Sequence, residues 1–479
     1  MNFVCRRLLP LFFCAMCLSS SAQIDTSLSA LRHKNAFDTS VKSPLLLVAD
    51  IAITGNKRTK SYMIEREIPF KQGEYLTKAD LEAKLIRARE QVINTSLFTD
   101  VYVYVVSQQG ELVFIKVDVK ERWYLFPLPF FRLIDRNFNN WWVQEKASLD
   151  RVDYGLKFTQ GNASGRNDNV NIFLINGYDH QVNLEYILPF ADRALKSGFG
   201  VRFVFNQQHQ LNYGTSLSQQ LFYKQDPYVN KEIRAEASYL YRPAIKTRHA
   251  FRIAYVQEQV ADTIVKLNPN YFPNHASKVS FPEISYAMNY FNADYVSYPL
   301  LGFDGGLSLM QRGFNKNMDM TQFEFHSTYS HPFIAKTNFQ IQAAGIIRLP
   351  FQQPFYNKQL FDYGGIFFRG LEYYVIDGVA GAIVRGTERK KLLAFAYKPK
   401  PGSRLITTAI PVTLYGKIYS DAGYVYNPTP GNSLLNNKFI STWGAGIDVV
   451  SIYDVVLKFE YSFNQLGGHG LFFHVQADF

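Results

Sequence analysis

The residues with reactive side chains do not assemble into a catalytic set. The nine histidines are scattered, and neither a His-Glu-x-x-His spacing nor a phosphate-binding glycine loop occurs. Carboxylates such as Asp448 and Glu460 read as parts of a polar wall rather than as an acid/base pair. No enzymatic activity, catalytic residue, metal or cofactor is expected. What remains is recognition chemistry, and Arg369 and Asp421 are its candidates. A guanidinium is a planar fork that binds a carboxylate through parallel hydrogen bonds. Lys417, Tyr419 and Asp421 share one parity of a strand, and Val412, Leu414 and Ile418 share the other. If the apolar parity faces lipid, Asp421 faces a wet interior, where Arg369 could tie down a connection folded inward. The alternative is a solvated loop arginine and a turn-flanking aspartate. A second pair, Arg385-Gly386, falls within a strand pattern; Arg369 is preferred because Gly364-Gly365 precede it.

The elements around these residues follow from hydrophobic periodicity. From about Trp123 to Phe479 helical spacing is absent and period-two alternation recurs between polar or Gly/Pro/Asn turns. Phe199, Val201, Phe203 and Phe205 alternate with Gly200, Arg202 and Asn206. Trp443, Ala445, Ile447 and Val449 oppose Gly444, Gly446 and Asp448. Leu457, Phe459, Tyr461 and Phe463 oppose Lys458, Glu460 and Ser462. Glycines and charges suit a wet lumen, so the apolar side faces out, into lipid. Sixteen strands are expected, starting near Ser148, Asp168, His180, Gly198, Ser218, Lys231, Thr247, Lys278, Gly302, Met320, Thr337, Gly381, Val412, Ser441, Val455 and Gly470. Asn268 to Ser277 belongs to one polar loop. A longer one, about 350–380, has the length of a functional loop. The final strand alternates Phe473, Val475, Ala477 and Phe479 with Phe472, His474, Gln476 and Asp478.

Residues 45–122 read differently, as strand, helix, helix, strand, strand. Ala49, Ile51 and Ile53 alternate before Gly55-Asn56. Thr77 is a good N-cap, followed by Leu81, Leu85, Ala88 and Val92 at helical spacing. Val101, Val103 and Val105, then Val113, Ile115, Val117 and Val119, define two strands.

Composition agrees with a membrane barrel. The chain carries 40 Phe and 31 Tyr, more than soluble domains usually hold, and barrels place aromatics in their interfacial girdles and lipid-facing band. No segment reaches about 18 consecutive apolar residues, which excludes a helical span. Residues 1–22 read as a secretory signal peptide, with Arg6-Arg7, the apolar run Leu8–Leu18 and a small-residue site at Ser20-Ser21-Ala22; residues 23–44 read as a linker. Cys5, Cys14 and Cys17 all lie in the signal, so no disulfide is expected in the mature chain. Losing Arg6 and Arg7 lowers the net charge from +11 to +9, and no dense basic cluster with interleaved aromatics suggests nucleic acid.

Several motifs resemble one family. Ile53-Thr54-Gly55-Asn56, Leu97-Phe98-Thr99-Asp100-Val101 and Val119-Lys120-Glu121-Arg122 are similar to the pattern of a POTRA (polypeptide-transport-associated) domain. Gly364-Gly365 with Phe368-Arg369-Gly370 resembles the arginine-glycine motif of a long sixth loop, and Tyr419-x-Asp421-x-Gly423 resembles the strand motif that follows it. Together they resemble the POTRA-plus-barrel outer-membrane assembly and secretion proteins, the BamA/TamA-like and bacterial surface antigen group. The resemblance implies a mainly β fold: a 16-stranded antiparallel transmembrane β-barrel after one small α+β POTRA domain (45–122), which lies in the periplasm. It implies that Arg369 and Asp421 pair, that the terminal aromatic serves as an assembly signal, and that the seam between first and last strands opens. The implied partners are outer-membrane lipid, unfolded or extended polypeptides and periplasmic accessory proteins. Rival readings are a passive pore or structural barrel and, more distantly, lipid or surface-polymer transport.

Overall fold

The computed structural model describes residues 45–133, 146, 152–334, 336–363, 365–397 and 410–476. The expected signal peptide and linker lie outside the described residues. From Leu46 onward the chain forms one compact unit.

Its N-terminal part runs β1 (Leu46–Thr54), α1 (Ser61–Glu65), β2 (Tyr75–Leu76), α2 (Lys78–Ile93), β3 (Phe98–Gln109) and β4 (Leu112–Glu121). The sheet order is β2-β1-β4-β3, with β1 and β4 parallel. The Thr77 hydroxyl accepts from the Asp80 amide at 3.1 Å, so α2 starts where the cap chemistry places it. Leu81, Ala88 and Val92 then pack with Val48, Ile115 and Val117. Each of the larger aliphatic side chains among these contributes about 1.5–3 kcal/mol on burial. Gly55 has φ +90°, and a Cβ there would lie 1.8 Å from the Val119 carbonyl oxygen, so only glycine ends β1 this way. The two-residue strand β2 was not expected from the sequence.

Sixteen strands build a second, antiparallel sheet. They are β5 (Leu125–Leu133), β6 (Val152–Gly161), β7 (Asn169–Gly177), β8 (His180–Leu188) and β9 (Ser197–Gln208), then, after a separate hairpin β10 (Gln210–Ser216) and β11 (Gln219–Lys224), β12 (Asn230–Tyr241) and β13 (Thr247–Val260). Helix α3 (Asp262–Leu267) leads on to β14 (Lys278–Ala293), β15 (Gly302–Asn315), β16 (Met318–Pro332) and β17 (Thr337–Leu349). The long connection holds β18 (Gln359–Phe361) and β19 (Ile376–Asp377), and β20 (Ala380–Tyr397), β21 (Ile410–Tyr426), β22 (Phe439–Val450), β23 (Val456–Asn464) and β24 (His469–Gln476) complete the wall.

The count matches the expectation, but its membership differs. The strand expected near Ser218 is β11 of the separate hairpin, outside the main sheet. The true first strand, β5, was missed because Pro127 and Pro129 interrupt a nine-residue segment, and proline ordinarily argues against a strand. The two differences cancel.

The wall is sided as the alternation demands. Phe251, Ile253, Tyr255, Trp443, Ile447, Phe459 and Tyr461 are exposed on the outside, whereas Glu283, Lys417, Asp448 and Glu460 are buried inside. An apolar outer band around a charged interior is the pattern of a wall that faces lipid. No helix among the described residues is long and apolar enough to cross a membrane.

Candidate functional site

Arg369 and Asp421 meet inside the barrel. Asp421 lies on β21 and is fully buried, with Ile418 exposed on the opposite face. The Arg369 Nε donates to both Asp421 carboxylate oxygens at 3.1 Å, and its Nη2 also donates to Oδ1. The Arg369 backbone amide donates to Oδ2 at 3.0 Å. Nη1 donates to the Thr387 hydroxyl of β20 at 3.0 Å, and the guanidinium stacks over the Tyr419 ring, 4.1 Å from its centroid. One arginine thus holds a carboxylate, a hydroxyl and an aromatic face from two adjacent wall strands.

The remaining motif residues shape this socket. Phe368 is fully buried against Phe361. A Cβ on Gly423 would lie 2.6 Å from the Phe368 ring and 2.4 Å from the Ala382 carbonyl oxygen, so Gly423 makes the space that Phe368 fills. Gly370 has φ +92°, and its carbonyl accepts from Asn464 Nδ2 at 2.7 Å. Tyr419 shares a hydrogen bond of 2.6 Å with Ser462. A Cβ on Gly365 would meet open space, so packing gives no reason for that glycine. Gly364 lies outside the described residues.

Arg385, passed over in the sequence reading, also reaches Asp421: its Nε is 3.8 Å from Oδ2, and its guanidinium stacks on Phe367 at 4.7 Å. Beyond it the inner wall continues as an ion network. Lys417 Nζ lies 2.5 Å from Asp448 and 2.6 Å from Glu460, and His474 is 2.9 Å from Glu460. These buried carboxylates thus each have a cationic or hydrogen-bonding neighbour on the wall.

The loops at this end of the barrel interlock over the socket. Leu360, Phe361, Leu371 and Ile376 of the long connection form a core with Val425, Leu435 and Ile440. The β10–β11 hairpin joins it through Ser218, whose carbonyl accepts from the Val375 amide at 2.8 Å. The Phe355 amide donates to the Asn270 carbonyl at 2.8 Å, linking the loop that contains α3. The long connection is therefore folded into the barrel and capped by its neighbours.

At the opposite end the N-terminal unit sits on the barrel's connecting turns. Glu67 is buried and receives Arg242 bidentately, at 2.6 and 2.7 Å, while Arg66 Nη1 donates to it at 3.0 Å. Arg66 also donates to the Leu195 carbonyl at 2.7 Å and lies 4.4 Å from the Phe190 ring centroid. Arg122 pairs at 2.7 Å with Asp454, which also accepts from Tyr295 and Ser96. Asn94 accepts from the Val296 amide at 3.0 Å and donates to the carbonyls of Ala293 and Asp294. Burial, and then the Asp294 carboxylate, raise the pKa of Glu90 on α2. A cavity of about 570 Å³, lined by Leu97, Arg122, Tyr124, Asn162 and Arg248 among others, remains between the unit and the barrel.

None of these docking residues was singled out from the sequence. Arg122 was seen only as the end of a motif, and its partner Asp454 lies 332 positions away. In the last strand, Phe473 and Val475 point outward and are exposed. Ala477 and Phe479 lie outside the described residues.

Residues 46–122 match the family model described as POTRA, surface antigen variable number repeat. No curated protein matches the chain by sequence. Among solved structures, the chain is similar to BamA from Haemophilus ducreyi lacking POTRA domains 1-3. The identity is 14% and the TM-score 0.51, over 90% of this chain and 84% of that one. It is also similar to CdiB from Escherichia coli, at 10% identity and TM-score 0.45 over 93% and 92% of the two chains. For CdiB from Acinetobacter baumannii the values are 10% and 0.46, over 90% and 73%. The likeness to BamA is one of fold, and this chain accordingly has the architecture of a POTRA unit followed by a barrel.

Proposed function

We infer that this POTRA-plus-barrel chain resides in the bacterial outer membrane, with its POTRA domain in the periplasm, and assists the insertion or translocation of polypeptides. The observation that carries the reading is a barrel with a folded closure at each end, held to the wall by side-chain contacts rather than by strand pairing with the main sheet. The POTRA unit is latched over one mouth by a few side chains on turns, and the anchored loop fills the other. A passive pore has no use for two closures, whereas a machine that admits a chain needs mouths that open on demand.

The POTRA sheet supports capture of extended polypeptide. Strand β3 is an edge of its sheet and presents Tyr102, Tyr104 and Val106 to solvent. Backbone hydrogen bonds at such an edge bind a strand with little sequence preference. On this reading the chain acts on polypeptides without covalent chemistry, and its partners are lipid, substrate chains and periplasmic accessory proteins.

Depleting the protein tests the reading. The expected result is loss of other barrel proteins from the outer membrane, or of a secreted polypeptide, measured by quantitative proteomics of membrane and medium. An unchanged protein inventory with altered small-solute uptake would favour the passive pore instead.

A further inference from the structure

The cavity of about 570 Å³ between the POTRA unit and the barrel carries charge of one sign only. Arg122, Arg242 and Arg248 line it, and among the described residues no aspartate or glutamate does. Its size lies within the range of about 300–1,000 Å³ typical of small-ligand sites. Arg242 is engaged by Glu67 and Arg122 by Asp454. Arg248 has no such partner. Phe251, Ile253 and Tyr255 of β13 point outward, so Arg248 points inward, and no hydrogen bond or ion pair joins its guanidinium to a described residue. Its strongest electrostatic neighbours are Arg242, Glu67 and Arg66. Three guanidiniums thus share one carboxylate, a local excess of +2, and Asp304 acts on Arg248 more weakly than any of them. A recessed site lined by one sign of charge attracts the opposite sign.

Neutral donors complete the site. The side-chain amides of Asn167 and Asn169 line the same space without a hydrogen-bond partner among the described residues. Arg122, whose side chain is only 10% exposed, keeps an unpartnered Nε. A phosphate group offers oxygens to several such donors, and one guanidinium fork matches two of them at once. A carboxylate would exhaust its two oxygens on a single fork. Elsewhere the lining is aromatic: Trp123, Phe126 and Tyr453, the last two edge to face at 6.2 Å. Trp and Tyr collect at the headgroup level of a membrane. The cavity therefore combines an oxyanion-binding wall with one suited to the apolar base of a lipid headgroup.

We propose that this cavity binds a phosphate group, with Arg248 as its principal contact and the neutral donors of the lining completing the shell. Two sources carry that chemistry, an anionic phospholipid headgroup and free phosphate, and the aromatic side of the cavity suits the first. The lining comes from both parts of the chain: Asn94 and Arg122 from the POTRA unit, Thr159 and Arg248 from the barrel. A ligand that needs both parts favours the docked arrangement by mass action. The proposal goes beyond the polypeptide-handling reading and does not depend on it.

The test uses the full-length protein in dodecyl maltoside, a detergent without phosphate. Calorimetric titrations are made with dihexanoyl phosphatidylglycerol, with sodium phosphate and with a tetraglutamate peptide. Ionic strength is held fixed, because salt screens such contacts. Saturable binding of one phosphatidylglycerol per chain is expected. Binding at least tenfold tighter than that of sodium phosphate identifies a lipid headgroup as the ligand, and comparable binding identifies free phosphate; either supports the site. Arg248→Gln is expected to weaken binding tenfold or more while leaving the circular dichroism of the barrel unchanged, since its guanidinium holds no described residue in place. Thr159→Asp supplies the carboxylate that the lining lacks and is expected to weaken binding as much, with Arg248 intact. The proposal is overturned if neither phosphate probe binds saturably, if both substitutions leave binding unchanged, or if the tetraglutamate peptide binds more tightly than both phosphate probes.

Discussion

Replacing Arg369 with alanine is expected to free the long loop from the barrel wall. The substitution removes the side-chain bonds to a carboxylate that stays fully buried. Breaking a buried pair from one side costs about 3–5 kcal/mol, because the stranded charge has no water to return to. That energy corresponds to a rise of at least about a hundredfold in the population of undocked loop. Arg385 softens the effect. Among the described residues its Nε and Nη2 have no hydrogen-bond partner, and it lies 3.8 Å from Asp421, placed to take over the carboxylate. Arg369→Ala should therefore fall at the lower end of the range, and Arg369→Ala/Arg385→Ala beyond it. Limited proteolysis of the folded barrel within residues 350–379 is the measurement. Arg369→Lys should behave almost as the alanine variant, since an ammonium keeps the charge but loses the fork. A protease-resistant loop with undiminished activity in the double variant would show that the pair anchors nothing.

The second large effect is expected at the POTRA latch. Glu67→Gln leaves the Arg66 and Arg242 guanidiniums facing each other without their shared carboxylate. The cost should be about 3 kcal/mol or more, by the same reasoning about a buried ion pair. The docked state would then lose roughly a hundredfold in population at this contact, with the Arg122–Asp454 and Asn94 contacts still holding. Planar-bilayer recordings should show larger or more frequent conductance steps than the unaltered protein. Glu74→Gln serves as the comparison. Its partner Lys84 is 2.5 Å away, but both side chains are about a third exposed, and such pairs contribute about 0–1 kcal/mol. If Glu67→Gln conducts no more than Glu74→Gln, the POTRA unit is not what closes the mouth.

How far the sequence disclosed this arrangement depended on the range of each interaction. The POTRA unit was readable because its signals are local: the Thr77 cap, the Leu81–Val92 face and the alternation of β4 each fall within a few residues. The barrel wall was readable from alternation, and Asp421 was placed indoors by parity alone. The socket was only half visible. Arg369 and Asp421 could be paired, but Thr387 and Arg385 lie on β20, and their place beside Asp421 follows from a register that no short motif encodes. The POTRA latch was invisible because Glu67 and Arg242 are brought together across 175 positions by the packing of the POTRA sheet's unit on the barrel turns. Pro127 and Pro129 misled for a physical reason: the feature that argues against a strand is tolerated where a strand edge goes unpaired.

A reversible lock across the POTRA–barrel contact tests most directly whether this opening is what the protein does. Asn94 and Val296 already touch, at 3.0 Å, and no cysteine occurs in the chain after Cys17, so Asn94→Cys/Val296→Cys introduces the only nearby thiols. The protein is reconstituted in vesicles and given a urea-denatured barrel protein as substrate, and insertion is scored by protease protection. The oxidised form is expected to lose insertion and the reduced form to recover it. Equal insertion with the disulfide formed would contradict the central claim, because substrate would then pass without the POTRA unit ever leaving the mouth.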